Sequence, residues 1–354
     1  MRRGPAVVVA NGSEGEPASE KDKLLLTQAP HLVLDGVLLA VRAVGASEAV
    51  IGVERGTRAL QIVSDAIAER ADLEASVPVR VVEVPRHYVA GEETALVHLI
   101  NGGEAKPTLT PPRPFERGVN RRPTLVSNVE TFAHLAMILQ WGPSWFRALG
   151  TGDDPGTALV TVSGGVARPG VMEIVLGTPL STIIDAAGGP TGGIQGVLLG
   201  GYYGTWIGPD DVRSARLSNA DLKPLGASLG CGAIVVLPAQ ACGLAETANV
   251  LTWMAGETAG QCGPCVHGLA AVAGAMRDLV AGRAGTDTLD QLHRWAGQIE
   301  GRGACRFPDG AVRLLRSALT VFSDEVSSHL RRGPCTGAGQ SSHLPIPASE
   351  QTWR

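Results

Sequence analysis

Residues 257–265 read Glu-Thr-Ala-Gly-Gln-Cys-Gly-Pro-Cys, so two cysteines, Cys262 and Cys265, stand with two residues between them. Such a pair brings two thiolates within reach of one metal centre, and the intervening glycine and proline favour the sharp turn that presents both sulfurs together. Zinc, an iron-sulfur cluster and a redox dithiol all use this spacing, so further ligands decide among them. The best third ligand is Cys305, which lies close to a glycine in a predicted turn.

The composition is that of a globular protein. With 354 residues, of which 44% are apolar and 18% charged, the chain is long enough for two or three packed domains. Its formal charge of -4 gives no electrostatic reason to expect binding to nucleic acid or to an anionic membrane. Six cysteines are too few for a disulfide scaffold and suit metal-bound thiolates in a reducing compartment.

Two long uncharged stretches, 186–209 and 224–245, are interrupted repeatedly by glycine and proline. Neither is therefore expected to form a membrane-spanning helix. We predict a cytoplasmic protein, either free or docked to a larger membrane-associated complex.

Strands and helices alternate in the first part of the chain. Apolar patterns predict strands at 6–10, 50–53 and 79–84 and helices at 31–44, 60–73 and 92–100. This order is typical of an α/β layer with a largely parallel sheet, whose ligands bind at the carboxyl ends of the strands. A domain boundary is expected near Gly150.

The segment from Glu257 to Cys265, with Gly268 and Cys305, resembles the iron-sulfur region of the NADH-binding flavoprotein subunit of complex I. Related subunits occur in bacterial NADH:quinone oxidoreductase, NAD-linked hydrogenases and formate dehydrogenases. The family motif, Glu-Ser-Cys-Gly-x-Cys-x-Pro-Cys followed by a more distant cysteine, holds a 4Fe-4S cluster. The resemblance implies that Cys262, Cys265 and Cys305 are metal ligands.

Ala259 occupies the position of the first cysteine in that motif, which leaves the fourth ligand open. The cluster would have either an open iron or a non-cysteine ligand. No remaining candidate is convincing. Cys231 and Cys242 flank a predicted strand, where a free cysteine is most often a small buried residue, Cys335 lies in the predicted tail, and His267 matches no ligand position of the family. Zinc stays the alternative metal, because Cys-x-x-Cys suits it well.

Three further stretches resemble the family's FMN- and NADH-binding segments. Residues 11–17 read Asn-Gly-Ser-Glu-Gly-Glu-Pro, residues 88–96 read Tyr-Val-Ala-Gly-Glu-Glu-Thr-Ala-Leu, and residues 123–131 read Pro-Thr-Leu-Val-Ser-Asn-Val-Glu-Thr. The resemblance implies the following cofactor-binding residues: Asn11, Ser13, Glu14, Glu16, Tyr88, Glu92, Glu93 and Asn128.

The same residues also allow purely structural interpretations. Glu92 and Glu93 complement the positive end of a helix dipole in its first turn. Ser127, with Glu130 three residues later, reads as a capping box before an apolar helix.

The family's glycine-rich phosphate loop, Gly-Arg-Gly-Gly-Ala-Gly-Phe-Pro, does not occur in this sequence. Such loops cradle a cofactor phosphate with backbone amides. Either the chain is truncated at its N-terminus, which is the interpretation we prefer, or it has lost this cradle and with it tight binding of FMN.

The predicted fold therefore has an α/β nucleotide-binding domain that is N-terminally incomplete, a β-grasp-like middle domain and a C-terminal helical bundle carrying the cluster. The expected segments are 1–150 for the FMN- and NADH-binding-like domain, 151–240 for the β-grasp (soluble-ligand-binding-like) domain, 241–332 for a four-helix iron-sulfur domain and 333–354 for a disordered tail.

The resemblance implies an NADH dehydrogenase subunit that passes electrons from NADH through FMN and a 4Fe-4S cluster to a partner protein. Partners would be electron-accepting iron-sulfur or quinone-reductase subunits. The alternative is a non-catalytic iron-sulfur or zinc-bearing assembly module descended from that subunit.

Overall fold

The computed structural model describes residues 5–70, 77–348, 350 and 352–354. Of these, the residues within Met1–Gly15, Glu20–Ala148 and Ser349–Arg354 form one compact unit, and those within Glu16–Ser19 and Leu149–Ala348 form a second. The first unit contains the following strands and helices: β1 (Ala6–Gly12), α1 (Lys21–Gln28), α2 (Pro30–Val44), β2 (Ala46–Glu54), α3 (Ala59–Ala68), β3 (Val79–Val84), α4 (Glu93–Ile100), α5 (Pro114–Arg117), β4 (Thr124–Asn128), α6 (Val129–Trp141) and α7 (Pro143–Arg147).

The strands of the first unit form a parallel sheet in the order β3-β2-β1-β4. In the central strand β1, Val8 pairs with Ala49 of β2 and with Leu125 of β4. The run Val7–Ala10 is fully buried, as expected of a parallel strand covered on both faces. Because the strands run in one direction, their carboxyl ends meet at one edge of the sheet.

Four elements of this unit were not predicted: α1, α5, β4 and α7. Helix α1 begins with the buried charged residues Lys21 and Asp22, so its sequence lacks an apolar start. Strand β4 leads directly into α6, and Asn128, not Ser127, caps that helix; the capping-box interpretation of Ser127 was wrong. The helix predicted at 60–73 ends at Ala68, and residues 71–73 lie outside the described residues.

No single helix in the described ranges is long and apolar enough to cross a membrane. Helices α1 and α2 have the necessary length and composition together, but the chain bends by 94° between them.

The second unit contains strands, short helices and a group of longer helices near its C-terminus. In chain order these are β5 (Thr157–Gly164), β6 (Gly170–Val175), α8 (Leu180–Ala186), β7 (Ile194–Leu199), β8 (Thr205–Ile207), α9 (Pro209–Ser214), α10 (Asn219–Leu222), β9 (Ala233–Pro238), α11 (Gly243–Gly256), a π-helical turn (Pro264–Leu269), α12 (Ala270–Val280), α13 (Thr288–Ile299), α14 (Phe307–Val321) and α15 (Ser323–Arg332).

Its strands form a mixed sheet in the order β6-β5-β9-β7-β8, in which β5 and β9 are parallel and the other pairs antiparallel. Apolar residues of the sheet and of α8, including Val160, Ile183 and Val236, form a buried core. The sequence prediction divides this unit further at residue 240, and that finer division stays a prediction.

Apolar residues recur three and four apart over 310–330 and predict a single helix there, but the structure has two. Phe322, which is 3% exposed, ends α14 with a non-helical ψ of 31° and precedes α15. Its buried ring packs edge-on against Trp206, at 5.2 Å between ring centroids. A tertiary contact therefore places the break where the apolar periodicity shows none.

The described part of the tail differs from the predicted disorder. Leu344 is 2% exposed, and Glu246 of α11 accepts hydrogen bonds from Ser342 Oγ, from the His343 amide at 2.8 Å and from the Leu344 amide. Composition rich in serine, glycine and proline suggested disorder. The hydrogen bonds to Glu246 nonetheless order the segment, because the buried carboxylate of Glu246 requires hydrogen-bond donors.

Candidate functional site

The predicted ligand residues of the first unit gather at the carboxyl edge of its parallel sheet. At the end of β1, Asn11 Nδ2 donates to the carbonyl of Gly91 at 2.7 Å, and Asn11 Oδ1 accepts from the Ser13 amide at 3.2 Å. One side chain thus joins the loop after β1 to the turn at Tyr88–Gly91 that precedes α4.

The two segments approach closely at two glycines, where a side chain would force the backbone to shift (Gly15) or would make a tight contact (Gly91). A Cβ atom at Gly15 would lie 2.7 Å from the Tyr88 carbonyl oxygen, and one at Gly91 would lie 3.0 Å from the Ser13 carbonyl oxygen. Because backbone packs against backbone here, peptide groups form this part of the sheet edge.

Glu14 is 7% exposed and directs its carboxylate at backbone amides. Its two oxygens accept from the Asp22 and Lys23 amides, both at 3.2 Å. These amides belong to the first turn of α1, where a negative charge is stabilised by the helix dipole. Glu14 therefore holds the loop and α1 together.

A buried ionic network lies beside this loop, and most of its residues were not predicted to have a role in the site. Lys21 Nζ lies 2.6 Å from Asp22, 3.0 Å from Glu130 and 3.1 Å from Asn128 Oδ1, while Asn128 Nδ2 donates to Asp22 at 2.7 Å. Burial lowers the pKa of Lys21, but Asp22 and Glu130 outweigh it and raise that pKa above its ordinary value. In the sequence, the Lys21-Asp22 pair shortly after the acidic loop resembles the family and is the local signal for this network.

Two predicted ligand residues are helix caps in the structure. Asn128 Oδ1 accepts from the Glu130 amide at 2.9 Å and starts α6, whereas Glu92 accepts from the Thr94 and Ala95 amides at 3.0 and 3.1 Å and starts α4. Glu93 lies in the first turn of α4 and pairs with Arg113 at 3.5 Å.

Glu16 belongs to the second unit. Its carboxylate is 7% exposed and accepts from the Tyr202 amide at 2.8 Å and from the Ala18 amide at 3.2 Å. A Cβ atom at Gly201 would overlap this carboxylate, so the glycine makes room for it.

The three predicted metal-ligating cysteines lie at two loops of the second unit. Cys262 and Cys265 stand at the start of the π-helical turn, and Cys305 lies just before α14. Burial raises the pKa of the Cys265 thiol to about 12; a hydrogen bond from Thr258 opposes this rise, and the thiols of Cys262 and Cys305 add to it. The fold therefore brings these thiols into one neighbourhood, while Ala259 adds no donor.

Comparison with known proteins gives a consistent result. Three family models match: the Nuo51 FMN-binding domain at residues 1–137, the SLBB domain at 159–195 and the NADH-ubiquinone oxidoreductase-F iron-sulfur binding region at 245–329. An NADH-quinone oxidoreductase F subunit of Rhizobium meliloti is 31% identical over 94% of this chain and 82% of its own length. This chain belongs to the family of NADH-quinone oxidoreductase F subunits.

A second relative and a solved structure agree with this family. The NADH-quinone oxidoreductase F subunit of Streptomyces coelicolor is 31% identical over 94% of the chain and 76% of its own length. Among solved structures, an NAD+-reducing [NiFe]-hydrogenase in the H2-reduced state matches with a TM-score of 0.86 and 30% identity. That match covers 92% of this chain and 57% of the hydrogenase chain, so this chain spans little more than half of it.

Membership of the NADH-quinone oxidoreductase family gives this chain an FMN-binding domain and a 4Fe-4S binding region, and the residues present supply part of each site. At the sheet edge, Gly15 and Gly91 let the two loops pack backbone against backbone, so peptide groups lie at this edge. The cysteine loops offer three thiols of the four that a 4Fe-4S cluster takes.

Proposed function

We propose that this chain oxidises NADH and passes the electrons to partner subunits of a larger complex. The single observation that carries the proposal is the carboxyl edge of the parallel sheet, where the acidic loop, the Tyr88–Gly91 turn and Asn128 are joined by direct hydrogen bonds. Ligands of open α/β sheets bind at such an edge. FMN, when bound, accepts a hydride from NADH and releases electrons singly.

The protein's share of this work is to hold and orient the cofactor and the substrate. Ser13, Tyr88 and Glu93 are the proposed contacts with FMN and NADH. The side chains of Asn11, Glu14, Glu92 and Asn128 bind backbone amides or carbonyls, so they fix the loops that surround the ligands. For Glu16, a contact with the cofactor stays a prediction from the sequence.

Cys262, Cys265 and Cys305 are the proposed ligands of the 4Fe-4S cluster, with a non-cysteine ligand or an open iron at the position of Ala259. The finer domain description belongs to the same proposal: a β-grasp-like domain at 151–240 and a helical domain at 241–332 that carries the cluster. The proposed partners are electron-accepting iron-sulfur or quinone-reductase subunits, and the proposed location is cytoplasmic.

The decisive experiment is anaerobic purification of the full chain, followed by an optical spectrum and analysis for iron, sulfide, zinc and flavin. We expect about four irons per chain and bound FMN whose absorption bleaches when NADH is added. Both results together would support the NADH dehydrogenase function.

Iron without flavin, or zinc alone, would instead support the non-catalytic assembly module. That alternative is favoured by Ala259, which removes one thiolate from the cluster motif. A chain without metal and without flavin would overturn the proposal.

A further inference from the structure

A second group of metal-ligating atoms lies in the second unit, apart from the three cysteines of the cluster region. The Sγ atoms of Cys242 and Cys335 and a ring nitrogen of His329 all lie within 4.8 Å of one another. Cys242 Sγ and His329 Nε2 are 3.7 Å apart. Two ligands of a tetrahedral zinc ion, with bonds of about 2.3 Å to sulfur and about 2.0 Å to nitrogen, are separated by about 3.5 Å. The pair is therefore already close to the spacing that a bound metal requires.

The three residues come from different segments of the chain. Cys242 precedes α11, His329 lies in α15, and Cys335 follows the end of α15. Cys242 and His329 are each 1% exposed, whereas Cys335 is partly exposed. The family match for the iron-sulfur region ends at residue 329 and includes neither cysteine.

The surroundings of His329 fix the orientation and the tautomer that a metal ligand needs. His329 Nδ1 lies 3.2 Å from the Val280 carbonyl oxygen and 3.4 Å from the Leu279 carbonyl oxygen, at the end of α12. A carbonyl only accepts hydrogen bonds, so Nδ1 carries the proton. Nε2 lies 3.7 Å from Cys242 Sγ, and its lone pair accepts from the Cys335 amide at 3.4 Å, a weak bond that a metal would replace. Metal-bound histidines typically donate their other ring N–H to a backbone carbonyl in this way.

A carboxylate lies next to the same group. Glu325 Oε2 is 3.5 Å from Cys242 Sγ and also accepts from the Leu244 amide at 3.2 Å. Glu325 stands four residues before His329 in α15, so both side chains lie on one face of the helix. Its carboxylate is engaged by the Gly243 and Leu244 amides. The ligand atoms that converge among the described residues are those of Cys242, His329 and Cys335, so water would fill the fourth coordination position.

We propose that Cys242, His329 and Cys335 bind a zinc ion. Two sulfurs and one imidazole nitrogen converging on one point form a donor set that zinc takes in tetrahedral sites. A 4Fe-4S cluster is a poor fit here, because its ligand thiolates bind separate irons and stand further apart than the ligands of a single ion. The ion would join the start of α11, the last helix and the following segment.

The bland alternative is that two cysteines and a histidine are packed neighbours without a metal. Free cysteine often behaves as a small buried apolar residue. That interpretation accounts for the burial of Cys242 and for the hydrogen bonds at both ring nitrogens of His329. The metal is favoured instead by the convergence of two sulfurs and one imidazole nitrogen within 4.8 Å of one another.

The test uses the full chain in which Cys262, Cys265 and Cys305 are replaced by serine, so that the cluster region cannot bind a metal. Metal is removed with a chelator under reducing conditions, and Co2+ is then titrated as the probe. We expect one Co2+ per chain, with thiolate-to-cobalt charge-transfer bands and tetrahedral d–d bands that disappear when Zn2+ is added. Because the triple-serine variant lacks the cluster ligands, the result does not depend on the proposed NADH dehydrogenase function.

In that background, Cys335→Ser and His329→Gln are each expected to weaken Co2+ binding at least about tenfold. Cys231→Ser is the matched control, because its thiol lies near the Gly200 carbonyl oxygen, at 3.4 Å, and outside this group. Circular dichroism reports whether each variant folds.

A second measurement tests the site even if the His329 and Cys335 variants fail to fold. In the chain with native His329 and Cys335, Zn2+ is expected to protect Cys242 and Cys335 from alkylation by iodoacetamide, and removal of Zn2+ should expose Cys335 first. Absence of Co2+ uptake by the folded chain, a spectrum unchanged by Cys335→Ser, or a Cys242–Cys335 disulfide under reducing conditions would each overturn the zinc site.

Discussion

The ammonium group of Lys21 lies 3.0 Å from the carboxylate of Glu130, with the two side chains only 9% and 15% exposed. This ion pair joins the first turn of α1 to the first turn of α6. Asp22 and Asn128 complete the network and bring it to the end of β1. The charges of Lys21, Asp22 and Glu130 are therefore paired with one another, and these pairs hold the loops beside the candidate ligand site in place.

Removing the cation from this network is expected to be costly. Lys21→Met leaves Asp22 and Glu130 as neighbouring buried carboxylates, and breaking such a pair costs about 3–5 kcal/mol. The control is Lys23→Met, whose ammonium is more exposed and lies 3.5 and 3.6 Å from Glu20 and Glu54; we expect less than about 1 kcal/mol. Urea unfolding followed by circular dichroism compares the two. Equal losses would contradict the structural importance assigned to Lys21.

Adjacent glutamates in the second predicted ligand segment should separate into a structural and a ligand-binding role. Glu92→Ala removes the N-cap of α4 and is expected to cost about 1 kcal/mol of stability. Glu93→Ala removes a half-exposed side chain and should change stability by less than about 0.5 kcal/mol.

The effects of the two substitutions on catalysis are expected in the opposite order, because the proposed function assigns the NADH contact to Glu93. Glu93→Ala is expected to raise KM for NADH more than Glu92→Ala does, in an NADH oxidation assay with an artificial acceptor. A higher KM for Glu92→Ala alone would assign the ligand contact to the cap residue instead.

Glu54 at the end of β2 makes stability depend on pH. Burial raises its pKa above the ordinary value of 4.5, against the opposing charges of Lys23 and Arg86. As pH rises above 4.5, the unfolded glutamate ionises before the folded one, so the free energy of unfolding falls until the folded carboxyl has also ionised. Glu54→Gln should therefore become more stable relative to the native chain as pH rises above 4.5. Below pH 4.5 it should show no such gain.

The control for this pH effect is Glu83→Gln, whose side chain is 46% exposed and pairs with Arg55 at 3.6 Å. Thermal unfolding of both variants and the native chain at several pH values provides the comparison. A gain for Glu54→Gln that is independent of pH would show that packing, not ionisation, is responsible.

Ala259→Cys should supply the thiolate that the cluster motif lacks in this chain. With four thiolates, the proposed 4Fe-4S cluster is expected to lose iron more slowly in air than in the native chain. Iron release to a chromogenic chelator measures the rate, and Ala259→Ser, which adds a hydroxyl of similar size, is the control. Equal rates in all three proteins would indicate that position 259 does not face the cluster.

Trp353 is expected to anchor the end of the chain to the first unit. Its ring stacks on His87 with centroids 3.6 Å apart, and Lys106 lies 5.1 Å from the ring centroid. Loss of these contacts in Trp353→Ala should lower the free energy of unfolding by about 1–2 kcal/mol. Trp141→Ala, at a position that is 60% exposed, is the control and should have a much smaller effect. Similar values for both would mean that the segment is not anchored.

The sequence by itself determined the elements whose signal is local. The apolar run at Val7–Ala10 indicated a buried strand, and the predicted strand at 79–84 has the observed bounds of β3. The motif around Cys262 and Cys265 and the acidic loop at Asn11 indicated the family, because the functional residues of each motif are neighbours in the sequence.

Only the tertiary structure decided which distant residues meet. Lys21 and Glu130 are far apart in sequence, as are Cys242 and His329, and no periodicity links either pair. The same is true of Trp353 on His87, which composition assigned to disorder. Buried charges, buried imidazoles and aromatic rings find partners through packing of the whole chain, and that packing depends on contacts that no local pattern of residues records.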